Sequence, residues 1–181
     1  MTDYSAYHGT WTIDPAHTRL GFIARHAMVT KVRGTFEDVA GTLVIDAANP
    51  SGSTAQVSVQ LASVNTGSAD RDAHLRSPDF FDVEVNKEMT FASTAVKQDG
   101  DEFIMVGDLT IKGVTRTIEL ELEPTGVVTD PFGQVRAGFE GEAELSRKEF
   151  GLTWNVALEA GGVLVSDKIK IQLDVAATKV D

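Results

Sequence analysis

The residues that could do chemistry in this chain are four histidines, His8, His17, His26 and His74, and the run Arg71-Asp72-Ala73-His74-Leu75-Arg76. The run has the side-chain types needed for general acid–base work or for gripping an anion. The alternative is structural: arginines and aspartates of a short helix pairing with each other or with nearby loops, tying a lid to a rim. Neither a nucleophile nor a second acid is visibly paired with the run, so no catalytic residue is assigned. A metal site would need at least two convergent histidines with carboxylates. His17 and His26 are nine positions apart, so on one continuous strand they point to opposite faces, about 30 Å apart at roughly 3.3 Å per residue. No metal and no cofactor are expected.

The chain contains no cysteine, which excludes disulfides, thiolate catalysis and cysteine metal sites. It has no phosphate-cradling Gly-x-x-x-x-Gly-Lys-Ser/Thr and no Gly-x-Ser-x-Gly elbow. Gly138-Phe139-Glu140-Gly141 lies in a strand pattern with no following helix, and reads as a bend in a barrel strand rather than a dinucleotide fingerprint. The net charge of −11 disfavours binding to nucleic acid. No apolar run approaches the ~18 residues of a membrane-spanning helix. The N-terminus lacks the basic and apolar regions of a signal peptide, so the expected location is cytoplasmic.

The elements that must position these residues are almost all strands. Leu20, Phe22 and Ala24 alternate with Arg19, Gly21 and Arg25, and Val32 to Asp46 reads similarly, with a bulge or bend near Asp38. Further strands are expected at Trp11–Asp14, Gln56–Val64, Glu88–Val96, Phe103–Lys112, Arg116–Glu123, Gln134–Leu145 and Lys168–Val175. Gly161-Gly162 leads into the last of these. Thr117 to Glu123 alternates three glutamates with Ile118, Leu120 and Leu122, one wet side and one dry side. The exception is a helical segment near residues 68–82, with Ser68 as N-cap and Leu75, Phe80 and Phe81 packing beneath while Arg71, Asp72 and Arg76 stay polar. The 181 residues form one domain, residues 1–9 being an N-terminal extension.

About eight antiparallel one-sided strands joined by short turns imply two packed sheets or an all-β, up-and-down barrel. A barrel of this size is just wide enough to hold one small ligand. The inward candidates Phe22, Phe36, Phe91, Phe103, Leu120, Leu122 and Phe139 could fill that interior or line a cavity in it. Pattern alone leaves both open.

Several stretches together resemble one known family. Trp11-x-Ile13-Asp14-x-x-His17, Leu20-x-Phe22-x-x-x-His26 and Val32-x-Gly34-x-Phe36 are similar to the opening of the YceI-like polyisoprenoid-binding family. So are Ser63-Val64-x-Thr66, Arg71 to Asp82, Phe91-x-Ser93, Gly107 to Thr115, Ser146 to Leu152 and Val165 to Ile169, and the resemblance runs from about Trp11 to Val175. The chain departs from the family in lacking a signal peptide and in having Asn86-Lys87 where Tyr-Pro often precedes the Phe91 strand. The resemblance implies a lipocalin-like barrel whose apolar tunnel holds an isoprenoid chain, with no catalysis and no cofactor beyond that lipid. Ligand contacts are then expected from the seven inward residues above, with Arg25, His26 and His74 at the polar mouth. Family members can pair as homodimers. The expected function is binding, storage or transport of a polyisoprenoid or similar long-chain amphiphile. The alternatives are an enzyme acting on a hydrophobic substrate at the mouth and a filled structural or interaction barrel.

Overall fold

In a computed structural model, which describes residues 2–158 and 164–180, the alternating stretches are strands and the polar run is a helix. The strand segments are β1 (Gly9–Ile13), β2 (Arg19–His26), β3 (Thr30–Phe36), β4 (Val39–Ile45), β5 (Thr54–Gln60), β6 (Val64–Asn65), β7 (Glu88–Asp99), β8 (Glu102–Ile111), β9 (Val114–Thr129), β10 (Val135–Ser146) and β11 (Lys168–Lys179). Between β6 and β7 lies α1 (Ala69–Arg76).

The order β1-β4-β5-β7-β8-β9-β10-β11 closes on itself, because Trp11 of β1 sits opposite Lys179 of β11 and Ile13 opposite Ala177. The remaining segments continue walls already present. β2 runs on from β1 along the same neighbour, β11. β3, paired with β2, runs into β4, paired with β1. β6 follows β5 and pairs with β3, as β5 pairs with β4. The eleven segments are therefore an eight-stranded up-and-down barrel whose first three strands are broken. Such closure leaves no exposed sheet edge around the ring.

Each break has a local cause. In the first, Asp14-Pro15 cannot continue a ladder, and Asp14 turns its carboxylate onto the Ala16 N–H (3.0 Å), the His17 ring (2.7 Å) and Arg136 (2.7 Å). The second is the bend expected near Asp38, at Glu37-Asp38. The third is a short 3₁₀ turn over Leu61–Ser63, so the expected strand Gln56–Val64 is two pieces. The last two breaks are stitched together by Glu37 N–H to Ser63 O and Gln60 N–H to Asp38 O. No pairing joins β6 to β7 among the described residues, and α1 with the turns after it occupies that side.

Two expectations need correction. The strand expected to end at Glu123 runs on to Thr129. Pro124 looks like a terminator but sits at a bulge, where Thr125 is the extra residue between Phe139 opposite Pro124 and Gly138 opposite Gly126, so the ladder resumes beyond it. Asp72, expected to stay on the polar surface, is buried at 8% exposure. Its carboxylate accepts from Thr66 N–H at 2.8 Å and Thr66 Oγ1 at 2.6 Å. The turn expected at Gly161-Gly162 lies outside the described residues. The strand entry at Asn86-Lys87 is well formed without Tyr-Pro. Asn86 Nδ2 donates to Phe81 O and Asp82 O, and Lys87 O accepts from Leu61 N–H.

Candidate functional site: an apolar cavity with a polar rim

The inward faces enclose a cavity of about 710 Å³ lined almost wholly by apolar side chains. The wall carries Leu20, Phe22, Phe36, Val57, Met89, Phe91, Met105, Leu109, Ile118, Leu120, Leu122, Ile171 and Leu173. Strand period explains the selection: in β9, Ile118, Leu120 and Leu122 face in, while Glu119, Glu121 and Glu123 are exposed.

Two large rings of the wall lie over glycines on the next strand. Phe22 is opposite Gly34, and a Cβ on Gly34 would sit 2.3 Å from the Phe22 ring tip. Phe91 lies over Gly107 in the same way, at 2.4 Å. Each ring occupies the space that a side chain on the glycine would need.

One end of the barrel is closed. There the chain before β1 makes a 3₁₀ turn over Ser5–Tyr7. Tyr4 packs on Phe103 with ring centroids 5.2 Å apart, and Tyr7 on Phe139 at 5.4 Å. Trp11, fully buried, donates its indole N–H to Tyr7 O at 2.7 Å. The N-terminal stretch is thus packed as a plug. Burial pushes the Tyr7 phenol up from its ordinary value, against the hydrogen bond from the Gly126 backbone.

Asp46, Ser53 and Thr54 border the cavity beside this plug, and the other end carries Arg25, His26, Asp70, Arg71 and His74. His74, near the end of α1, holds Asp79 at 2.8 Å through Nε2 and meets Trp154 and Phe80 edge-on, at 4.5 and 5.1 Å between centroids. Arg71 donates to Thr66 Oγ1 (2.8 Å) and Thr66 O (2.9 Å), and Arg76 to Ala62 O (3.0 Å) and Val64 O (3.2 Å). With Asp72 on Thr66, these contacts tie α1 to the β6 region. Of the acid–base run, Arg71, Asp72 and Arg76 are engaged in tethering, and His74 is the member whose ring is held at the mouth.

All ten residues singled out in the sequence line the cavity: Phe22, Phe36, Phe91, Phe103, Leu120, Leu122 and Phe139 along its length, and Arg25, His26 and His74 at the mouth. Trp154 and Arg147 were not anticipated. Arg147 is 3% exposed and gives its guanidinium to four backbone carbonyls: Ser166 (2.8 Å), Leu152 (2.5 Å), Trp154 (3.0 Å) and Val165 (3.1 Å). It braces two stretches without strand ladders, and so sets Trp154 against His74. Burial pushes its pKa down, and the Asp167 charge acts the other way. Burial also works against the charge on Asp167, but hydrogen bonds from Ser146 and the Lys148 N–H outweigh it and hold that carboxyl below the usual range. The sequence signal for Arg147 was its place in the Ser146–Leu152 stretch, which gave it no role. Trp154 stands in a run without alternation and gave no signal.

Among the described residues, no group of three or more His, Asp or Glu side chains converges to hold a metal, and no helix is long and apolar enough to cross a membrane.

Known proteins share this arrangement. The YceI-like domain family matches residues 11–177. A Salmonella newport (strain SL254) protein named YceI is 40% identical over 155 residues, covering 84% of this chain and 81% of its own. The crystal structure of BcnA from Burkholderia cenocepacia superposes with a TM-score of 0.78 at 21% identity, over 91% of this chain and 98% of its own, a likeness of fold. A polyisoprenoid binding domain from Saccharophagus degradans, implicated in plant cell wall breakdown, has the same fold at a TM-score of 0.67 and 15% identity, over 94% of this chain and 98% of its own. The family's match over nearly the whole barrel, with the Salmonella relative beside it, makes this chain a member of the YceI-like family.

Proposed function

We propose that this protein is a non-catalytic carrier or store for a polyisoprenoid or similar long-chain amphiphile. The observation that carries the reading is the open apolar interior, about 710 Å³ bounded by the inward side chains. A filled structural barrel would pack its inward side chains to interior density and leave no such space. The Saccharophagus degradans neighbour, described as binding polyisoprenoid, supports an isoprenoid chain as the occupant.

The mechanism is sequestration. A preformed apolar cavity removes a water-insoluble chain from solvent, a gain of about 0.8 kcal/mol for each buried methylene. At about 30 Å³ for a water-sized group, the cavity takes on the order of two dozen chain atoms, about five isoprene units. A longer chain would fold back or leave part of its length outside the mouth. The head group would lie among Arg25, His26 and His74, where the ring of His74 is already oriented by Asp79, Phe80 and Trp154.

The test is mass spectrometry of an organic-solvent extract of the purified protein, with native mass spectrometry alongside. The expected result is a stoichiometric isoprenoid. A clean, empty protein that also rejects added polyprenyl quinones would overturn the reading.

A further inference from the structure

Basic charge is concentrated on one outer face of this acidic protein. In β2, Leu20, Phe22 and Ala24 line the cavity, so Arg19 and Ile23 face outward, and Arg25, exposed at the rim, borders both the cavity and that face. Across the hairpin Arg25 is opposite Lys31, and Ile23 is opposite both Arg33 of β3 and Lys170 of β11. Lys168 follows on the same side of β11, and all six basic residues are exposed. Among the described residues, Arg19, Arg25, Lys31, Arg33 and Lys168 form no ion pair, while Lys170 reaches Glu142 at 3.6 Å. The acidic neighbours by register are Asp174, opposite Arg19, and Glu144, opposite Lys170. Arg25 directly opposite Lys31 is a like-charge pair that weakens the hairpin.

The tip of that hairpin is odd in a second way. It closes with Val29 N–H on His26 O, and its two central residues, Ala27 and Met28, have φ of 52° and 63°. Such a turn favours Asn-Gly, and alanine and methionine are strained in it. The strained turn sets Met28 at the tip, 61% exposed, with Val29 beside it at 76%. It does so next to Arg25 and His26, at the mouth of the cavity. Two other exposed apolar side chains sit among acids, while Val128, 63% exposed, lies on β9 opposite Arg136, toward the closed end. Phe132 is at the closed end, whose turns carry Asp99, Asp101, Glu102 and Asp130, and Val85 lies in the loop after α1 with Asp82 and Glu84.

We propose that the β2–β3 hairpin docks the barrel on an anionic lipid bilayer, with Met28 and Val29 entering the head-group layer and the Arg25, Lys31 and Arg33 face lying against it. Charge complementarity selects this occupant, since an apolar tip ringed by cations matches a surface that is apolar within and anionic outside. The α1 side of the mouth carries Asp70, Asp79, Asp82 and Glu84, so the barrel tilts onto its hairpin side. Docking brings the mouth to the phase from which a water-insoluble chain must be drawn, and in that purpose the proposal rests on the carrier reading.

Co-sedimentation with phosphatidylcholine vesicles, with and without about one-third phosphatidylglycerol, tests it. Binding is expected to need phosphatidylglycerol and to fall steeply at about 0.5 M NaCl. Lys31→Gln with Arg33→Gln, neither of which lines the cavity, is expected to weaken it about 25-fold, roughly fivefold for each charge. Met28→Ser with Val29→Ser is expected to weaken it about tenfold, and Phe132→Ser to leave it unchanged. Ala27→Asn with Met28→Gly separates docking from folding, because it relieves the turn, raising the melting temperature, and still weakens vesicle binding. Wild-type protein that ignores anionic vesicles, or hairpin variants that bind like wild type, would overturn the proposal. If such a protein still takes a polyprenyl quinone from detergent micelles, docking alone has failed. A protein that docks as expected but takes up no lipid from any donor supports docking and sinks the carrier reading.

Discussion

The two ends of the barrel are closed by different physics. At the far end, Tyr4, Tyr7, Phe103 and Phe139 pack ring on ring over a fully buried Trp11. Arg136 pins the break after β1 to the β9–β10 turn through Asp14 (2.7 Å) and Asp130 (2.8 Å). At the mouth, α1 buries little besides Asp72 and is held by hydrogen bonds that Arg71 and Arg76 donate and that Asp72 accepts from Thr66. The wall opposite is held by Arg147 on four carbonyls. Apolar burial gains from every contact and gives way as a unit, whereas tethers open one at a time. A ligand should therefore enter and leave at the tethered end.

The largest expected effects come from cutting the anchor of each end. Trp11→Ala should cost about 3–5 kcal/mol, the range for emptying a buried aromatic site. Urea unfolding should show it as a lower midpoint. Arg147→Ala removes the donor that four carbonyls share, and should cost about 3 kcal/mol. The comparison is sharpened by what remains folded. Well below its midpoint the Arg147 variant should leak bound lipid, because Trp154 is no longer set against His74, while the Trp11 variant should retain it. Equal retention by both would break the distinction between the ends.

The charged latch at the closed end gives a pH signature. The Arg136 hydrogen bond leads the forces that hold the Asp130 carboxyl below its usual range. For Asp14 partial burial opposes the charge, but hydrogen bonds from His17, Arg136 and the Ala16 N–H together outweigh it. A carboxyl whose folded pKa lies below its unfolded value, about 4, adds stability that is fully present above that value. That stability is lost as pH falls through the lower folded value. Unfolding followed from neutral pH into the acid range should thus show stability falling below about pH 4, and Arg136→Gln should flatten that fall. An unchanged acid slope in the variant would mean that the latch holds nothing.

The walls of the barrel were legible because strand period and burial coincide there. Leu120 and Leu122 alternate with glutamates, and every inward aromatic picked from the pattern lines the cavity. Whether that interior was filled or empty was not legible from period, since both put the same residues inside. The deciding quantity is the volume left among the inward side chains, about 710 Å³, which depends on register and side-chain packing together. The strand runs on past the expected end at Glu123 because the bulge at Pro124 lets the ladder resume beyond a residue that cannot donate to it. Arg147 was illegible because its partners are backbone carbonyls, which no side-chain motif announces, and Asp72 because it turns back on the N–H and hydroxyl of Thr66, ahead of the helix.

The smallest expected effect concerns the helix at the mouth. Ser68 Oγ accepts the Arg71 N–H at 3.3 Å, and Ser77 Oγ donates to His74 O at 2.6 Å, so hydroxyls cap both ends of an eight-residue helix. Ser68→Ala should cost about 1 kcal/mol locally, and less in global unfolding, because α1 is not part of the closed ladder. Amide exchange should resolve the two: faster exchange at residues 69–76, with β8 and β9 unchanged, and faster lipid release. An increase spread evenly over the barrel would mean that α1 and the walls unfold as one unit, and the mouth would then be no easier to open than the plug.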